Sequence, residues 1–190
     1  MKKIMLALLL FTVILSCKKK KEPEPEVFGT VENFNINGES GNRPDMTKIT
    51  IGAVTKKCDD HNLSTCQMVI SRGSISIDSL REGVVIDKIP LRKTGRFTLN
   101  GPTIGVDCDT LPPRASYVMV NTGDVIFASY LPDRTKDNFI QIEQFDSNTN
   151  EISGYFSVSM LHAGFPSERA KRLYGERIEI KNCKFKVKIL

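Results

Sequence analysis

Between Ile152 and Met160 apolar and polar side chains alternate without a slip: Ile152, Gly154, Phe156, Val158 and Met160 on one parity, Ser153, Tyr155, Ser157 and Ser159 on the other. Successive side chains of an extended strand point to opposite sides, so a period of two marks a strand with one buried face. The same alternation recurs in Ile49, Ile51 and Ala53, in Phe97 with Leu99, and in Ile140 with Ile142. No stretch sustains a period of 3.6. The best helical segment is short, Ser167 to Tyr174, with Ser167 as N-cap and Gly175 as its stop. The pattern predicts an all-β fold: an antiparallel β-sandwich or flattened barrel with one short helical segment.

Turn chemistry joins these strands. Asn121-Thr122-Gly123-Asp124 lies between Tyr117–Val120 and Val125–Tyr130 and suits a tight hairpin. Asp146 to Glu151 (DSNTNE) joins Phe139–Phe145 to Ile152–Met160 in the same way. Near the end of the chain, Ile178 and Ile180 are even-numbered while Phe185, Val187 and Ile189 are odd-numbered. A slip of one residue exchanges the two faces of a strand, so this change of parity predicts a bulge or tight turn near Asn182.

Ahead of the domain, Lys2 and Lys3 precede an apolar run from Ile4 to Leu15, broken only by Thr12 and closed by Ser16-Cys17. A basic start, a short apolar stretch and a small residue make a secretory signal, and four lysines after Cys17 end the run well short of the roughly 20 residues a spanning helix needs. Ile14-Leu15-Ser16-Cys17 resembles the lipobox of bacterial lipoproteins, whose cysteine is acylated before cleavage. The resemblance implies residues 1–16 as signal peptide, Cys17 as the lipidation site carrying palmitate-type chains, and a membrane attachment through them. Several acyl chains hold durably where a single chain binds reversibly. Residues 17–26 then form the lipidated cysteine with a charged tether, KKKKEPEPE, which has no apolar side chain to bury apart from its two prolines. Lys18 stands where an aspartate is linked to inner-membrane retention, so the expected address is the outer membrane.

With sixteen of 190 residues removed, 174 remain, enough for one domain, 27–190, with a real core. The formal charge of +5 is an end effect. Taking two leader and four tether lysines from 27 basic residues, and three tether glutamates from 22 acidic ones, leaves 21 against 19, a net of +2. Nothing in that balance asks for nucleic acid. Cys58, Cys66, Cys108 and Cys183 remain once Cys17 carries lipid, and an even number in an exported domain predicts disulfides. The expected pairing is Cys58 with Cys66 and Cys108 with Cys183; the two other connectivities stay open.

His61 and His162 are the only histidines, which restricts histidine-based catalysis and metal binding. Asp59, Asp60 and His61 are the candidate metal ligands, although three consecutive residues rarely converge on one ion, and a polar loop between Cys58 and Cys66 accounts for them. His162 is expected in a solvated loop running from Leu161 to Gly175, which also carries the basic cluster Arg169, Lys171 and Arg172. Asp146, Asn148, Asn150 and Glu151 are rich in oxygen but lack the glycine and distant glutamate of a calcium loop, and a hairpin turn explains them. No GxSxG, P-loop or HExxH motif occurs in the sequence.

Three segments, Phe34-Asn35-Ile36-Asn37-Gly38, Ile140 to Val158 and Arg177 to Ile189, resemble a family of small β-rich Bacteroidetes lipoproteins of unknown function. Two departures stand out: no Trp follows the first Asn-Gly, where Glu39-Ser40 stands instead, and the last turn carries Asn182-Cys183 in place of Asn-Gly. The resemblance implies a β fold in the cell envelope and carries no activity, ligand or catalytic residue. The expectation is a non-enzymatic module binding an envelope protein or glycan, without a cofactor. Its alternative is a lipocalin-like small-ligand carrier or an enzyme. A filled core favours the first, and a polar cavity where Asp59, Asp60 and His61 converge favours the second.

Overall fold

The computed structural model describes residues 28–37, 48–57, 64–73, 81–101, 112–121, 125–164 and 174–190. Ten strands follow one another: β1 (Gly29–Glu32), β2 (Lys48–Lys57), β3 (Ser64–Gly73), β4 (Arg81–Pro90), β5 (Gly95–Thr98), β6 (Arg114–Asn121), β7 (Val125–Pro132), β8 (Phe139–Asp146), β9 (Glu151–His162) and β10 (Arg177–Lys188). Every pairing between them is antiparallel, in the order β1-β10-β9-β7-β6-β4-β3-β2, with β8 also on β9 and β5 on β8. The sheet curls until β2 meets the end of the chain. Leu190 donates to the Ala53 carbonyl and accepts from the Thr55 amide, both at 3.0 Å. The all-β expectation holds, in the form of a nearly closed barrel. Of the expected helix over Ser167–Tyr174 only Tyr174 falls among the described residues, and Gly175 follows it with φ of 68°.

Curvature comes from residues that do not fit the ladder. The pairing slips between Ile180 and Cys183, between Cys66 and Met68, between Met119 and Val120, and between Ile142 and Gln144. An extra residue on one strand bends it and sharpens its twist, which is what a sheet needs to close. The first slip is the one that the parity change near Asn182 predicts. Asn182 takes φ of 49°, its amide donates to Ser157 Oγ at 2.9 Å, and the inward set passes from Ile178 and Ile180 to Cys183, Phe185 and Val187. Lys88, at φ of 59°, does the same for β4, so that Val84, Ile86 and Ile89 all face inward.

Strand β9 is shared. Its residues Glu151–Ser157 pair with β8, whereas Met160–His162 pair with β7. The wall therefore forks where the chain runs from β7 to β8. At Gly154 a β-carbon would stand 2.0 Å from the Gln141 carbonyl oxygen, so only glycine lets β8 come this close to β9. Strand β9 also runs past Met160 to His162. The expected loop thus begins later, and His162 is half-buried at the strand end, its ring edge-on to Tyr130 at 5.0 Å, instead of solvated.

Side chains fill the interior. Tyr117, Tyr130, Phe156, Met68 and Met119 are fully buried together with the aliphatic residues of every long strand. Cys66 and Cys183 belong to this core. Neither is half of an expected disulfide here: both are free, fully buried thiols, while Cys58 and Cys108 lie outside the described residues. The pleat gives the reason, since Cys66 shares the inward parity of Met68 and Ile70, and Cys183 that of Phe185 and Val187. Burial, joined for Cys66 by the charge of Asp87, pushes both thiols up to about 12, which leaves them protonated and unreactive.

One charged pair is enclosed near the end of the barrel. Arg72 follows Ile70 on the inward face of β3 and donates through Nε to Glu82, which is 2% exposed. Arg72 Nη2 also reaches the Tyr174 hydroxyl at 2.6 Å, and that hydroxyl lies 2.7 and 2.8 Å from the two Glu82 oxygens. Burial alone would lower the Arg72 guanidinium, but Glu82 and the tyrosine hydroxyls outweigh it and hold it above its ordinary value. The network ties Tyr174 to the barrel wall. Glu82→Gln, which strands the guanidinium, should cost about 3–5 kcal/mol in urea unfolding followed by far-UV circular dichroism, while Arg72→Met with Glu82→Leu should recover most of it. A Glu82→Gln loss under about 1 kcal/mol would show that the pair is solvated.

Candidate functional site

The fork between β7 and β8 is crossed by Asp133–Asn138, a turn held by hydrogen bonds within itself and to β9. Asp133 is only 4% exposed. Its amide donates to the Ser159 carbonyl at 2.8 Å, its own carbonyl accepts from Lys136 at 3.0 Å and from Asn138 Nδ2 at 2.7 Å, and Asn138 Oδ1 accepts from the Ser159 amide at 2.8 Å. The carboxylate takes the Thr135 hydroxyl at 2.7 Å, the Thr135 amide at 3.0 Å, and Arg177 Nη1 at 2.7 Å. Those Thr135 bonds first, and Arg177 after them, hold the Asp133 carboxyl down at about 2. Asp137, the other acid of the turn, is taken by Arg96 at 2.6 Å, whose guanidinium lies 3.4 Å from the Phe139 ring centroid.

Both carboxylates are thus bound to Arg177 and Arg96 and not to the cations beside them, Arg134 and Lys136. Arg134 and Lys136 are exposed and line one side of a surface cleft of about 350 Å³. Arg114 also lines it, at the start of β6, where a parallel bridge to Asn100 joins the end of β5 to β6. Leu99 is fixed to the turn through its amide on the Asn138 carbonyl at 2.9 Å, and together with Gly101, Pro112 and Pro132 it lines the cleft with apolar surface. No carboxylate is among the described residues of the lining. Asp87 stands across from Arg114 in the β4–β6 register but is not part of that lining. Arg114 Nε and Nη2 are buried and meet no hydrogen-bond partner among the described residues. Leaving a buried donor unmet costs about 1–3 kcal/mol, more when it is charged.

Two other clefts are less suited to a ligand. One, of about 370 Å³, is lined by Asn35, Asn37, Arg177, Glu179 and Lys181. Its groups are engaged: Asn37 Oδ1 accepts from the Glu179 amide at 2.8 Å, Lys181 pairs with Glu179 at 2.8 Å, and Arg177 holds Asp133. The other, of about 230 Å³, is a shallow apolar depression on β3, β4 and β6 around Val69, Val85, Val118 and Val120.

Of the residues singled out in the sequence, Cys17, Cys58, Asp59, Asp60, His61 and Cys108 lie outside the described residues, as do Arg169, Lys171 and Arg172. Asp146 caps its turn, accepting from the amides of Asn148 at 2.8 Å and Thr149 at 3.3 Å, and Glu151 pairs with Lys186 at 3.2 Å, so this run is the expected hairpin turn. Among the described residues no helix is long and apolar enough to cross a membrane. Compared with protein-family models, curated proteins and solved structures, the chain finds no match in any of the three. Arg114, Arg134 and Lys136 were not flagged by the sequence: they are drawn from separate segments and meet only when the fork forms.

The turn carries an acid sensitivity. A carboxyl lowered in the fold stabilises it above the unfolded value, near 3.8 for Asp133, and the stabilisation is lost as pH falls toward about 2. Thermal melts from about pH 5 to about pH 2 should therefore fall less steeply for Asp133→Asn than for the parent. Asp146, lowered by the Asn148 and Thr149 amides, and Glu179, lowered by Lys181, keep part of the slope. An unchanged slope in Asp133→Asn would mean that its carboxylate is not held as described.

Proposed function

We propose that the chain is a lipoprotein held in the outer membrane by acyl chains on Cys17, and that its β domain is a non-enzymatic module that binds an envelope protein or glycan. The observation that carries the second half is the filled interior. With Tyr117, Tyr130, Phe156, Met68 and Met119 packed inside, ligands are offered the outside of the barrel, where a fixed turn and a charged cleft stand. A lipocalin-like carrier needs a chamber where these side chains sit. The address rests on the leader, the lipobox and the charged tether, and membership of the small Bacteroidetes lipoproteins rests on the three shared segments. Two of those segments are neighbours in the sheet through β9 and β10, and the first touches β10 through the Ile36–Ile180 bridge.

Each half has its own test. Cells expressing the parent should incorporate radioactive palmitate into the protein and keep it in the membrane pellet, and Cys17→Ala should do neither. Palmitate label persisting in Cys17→Ala would contradict the anchor. Purified full chain should bind saturably to protein-stripped envelope polysaccharide or to detergent-solubilised envelope proteins, and release no new products from either. Product release that grows with time would make it an enzyme.

A further inference from the structure

We propose that the cleft bounded by Arg114, Arg134 and Lys136 is a binding site for an anionic sugar, a hexose-sized unit carrying phosphate, sulfate or carboxylate. The proposal deepens the binding-module reading and rests on it.

Charge comes first. Three cations from two separate segments face one concavity, and the acids nearest in sequence, Asp133 and Asp137, are bound to Arg177 and Arg96. Among the described residues no carboxylate lines the cleft beside these like charges, and an oxyanion placed among them relieves their mutual repulsion. Arginine suits the task because its planar fork donates two parallel hydrogen bonds to one oxyanion. Arg114 brings its positive charge to the lining, while its Nε and Nη2 are enclosed.

Shape argues for a sugar over a bare ion. About 350 Å³ is in the range of small-molecule sites and exceeds what one phosphate fills. The exposed Pro112 offers apolar surface against which the C–H face of a pyranose can lie, while Arg134 and Lys136 reach the charged substituent from the turn. That turn is held at Asp133 and Asn138 by hydrogen bonds to β9, so the cations sit on a fixed support and lose little freedom on binding.

The test is a titration of the full chain in mild detergent, followed by NMR or calorimetry at low salt. Its probes are glucose 6-phosphate, glucuronate, glucose, inorganic phosphate and short-chain phosphatidylglycerol below its micelle point. Glucose 6-phosphate and glucuronate should bind saturably, glucose should not, and rising salt should weaken the binding. Arg134→Ala with Lys136→Ala, both exposed positions, should weaken it at least tenfold without changing the melting temperature. Failure of both anionic sugars to saturate at millimolar concentration overturns the proposal, and so does binding that the double variant leaves intact. Inorganic phosphate binding as tightly as glucose 6-phosphate removes the sugar, and preference for phosphatidylglycerol replaces it with a lipid contact. Binding that emerges only in Asp107→Asn with Asp109→Asn overturns it too, by making the chain's own aspartates the occupants. Saturable binding of the purified chain to envelope polysaccharide or envelope proteins that survives Arg134→Ala with Lys136→Ala would keep the module and exclude this cleft, so the two readings fail separately.

Discussion

The fold depends on a closure made at its last two residues. Without the hydrogen bonds between Leu190 and β2, strand β2 would end the sheet with the Thr55 amide and the Ala53 carbonyl unpaired, a hazard that barrels remove. Ile189 is fixed from the other side, its amide on the Asn150 carbonyl at 2.8 Å and its carbonyl accepting from Asn150 Nδ2 at 2.6 Å. The hairpin turn between β8 and β9 therefore holds the tail that closes the wall. Once the wall is closed, every inward residue meets the same core, and the alternation along each strand acquires one meaning.

Closure also explains where the candidate site lies. A strand shared by two neighbours leaves a gap where they part, and the chain crosses that gap between β7 and β8. Because the crossing must satisfy its own backbone groups, it is dense in Asp, Thr and Asn. Those same requirements consume its carboxylates and leave its cations outward. The charge of the cleft is thus a by-product of how the turn is built, although the whole domain is nearly neutral.

Much of this was legible in the sequence. The period of two marks β8, β9 and β10 nearly to the residue, and the parity change at Asn182 marks a bulge found at that position. Parity carries a further signal: Cys66, Met68, Ile70 and Arg72 share one phase, which places one thiol in the core and puts a charge inside that then demands Glu82. An even cysteine count in an exported domain points Cys66 and Cys183 to disulfides, whereas their phase along the strands places both in the core. Sharing of β9 between β7 and β8 was not legible, because pairing partners depend on curvature summed over several bulges. The cleft depends on that sharing, so Arg114 could not be joined to Arg134 and Lys136 from sequence.

The barrel closes at the end of the chain and leaves its interior to side chains. Amide hydrogen exchange at Thr55 and Leu190 tests this most directly, because each of these amides reports on one side of the closure. Both should exchange as slowly as the amides inside β9. Fast exchange at both, with the outward amides of β2 behaving as a free edge, would contradict the closed barrel.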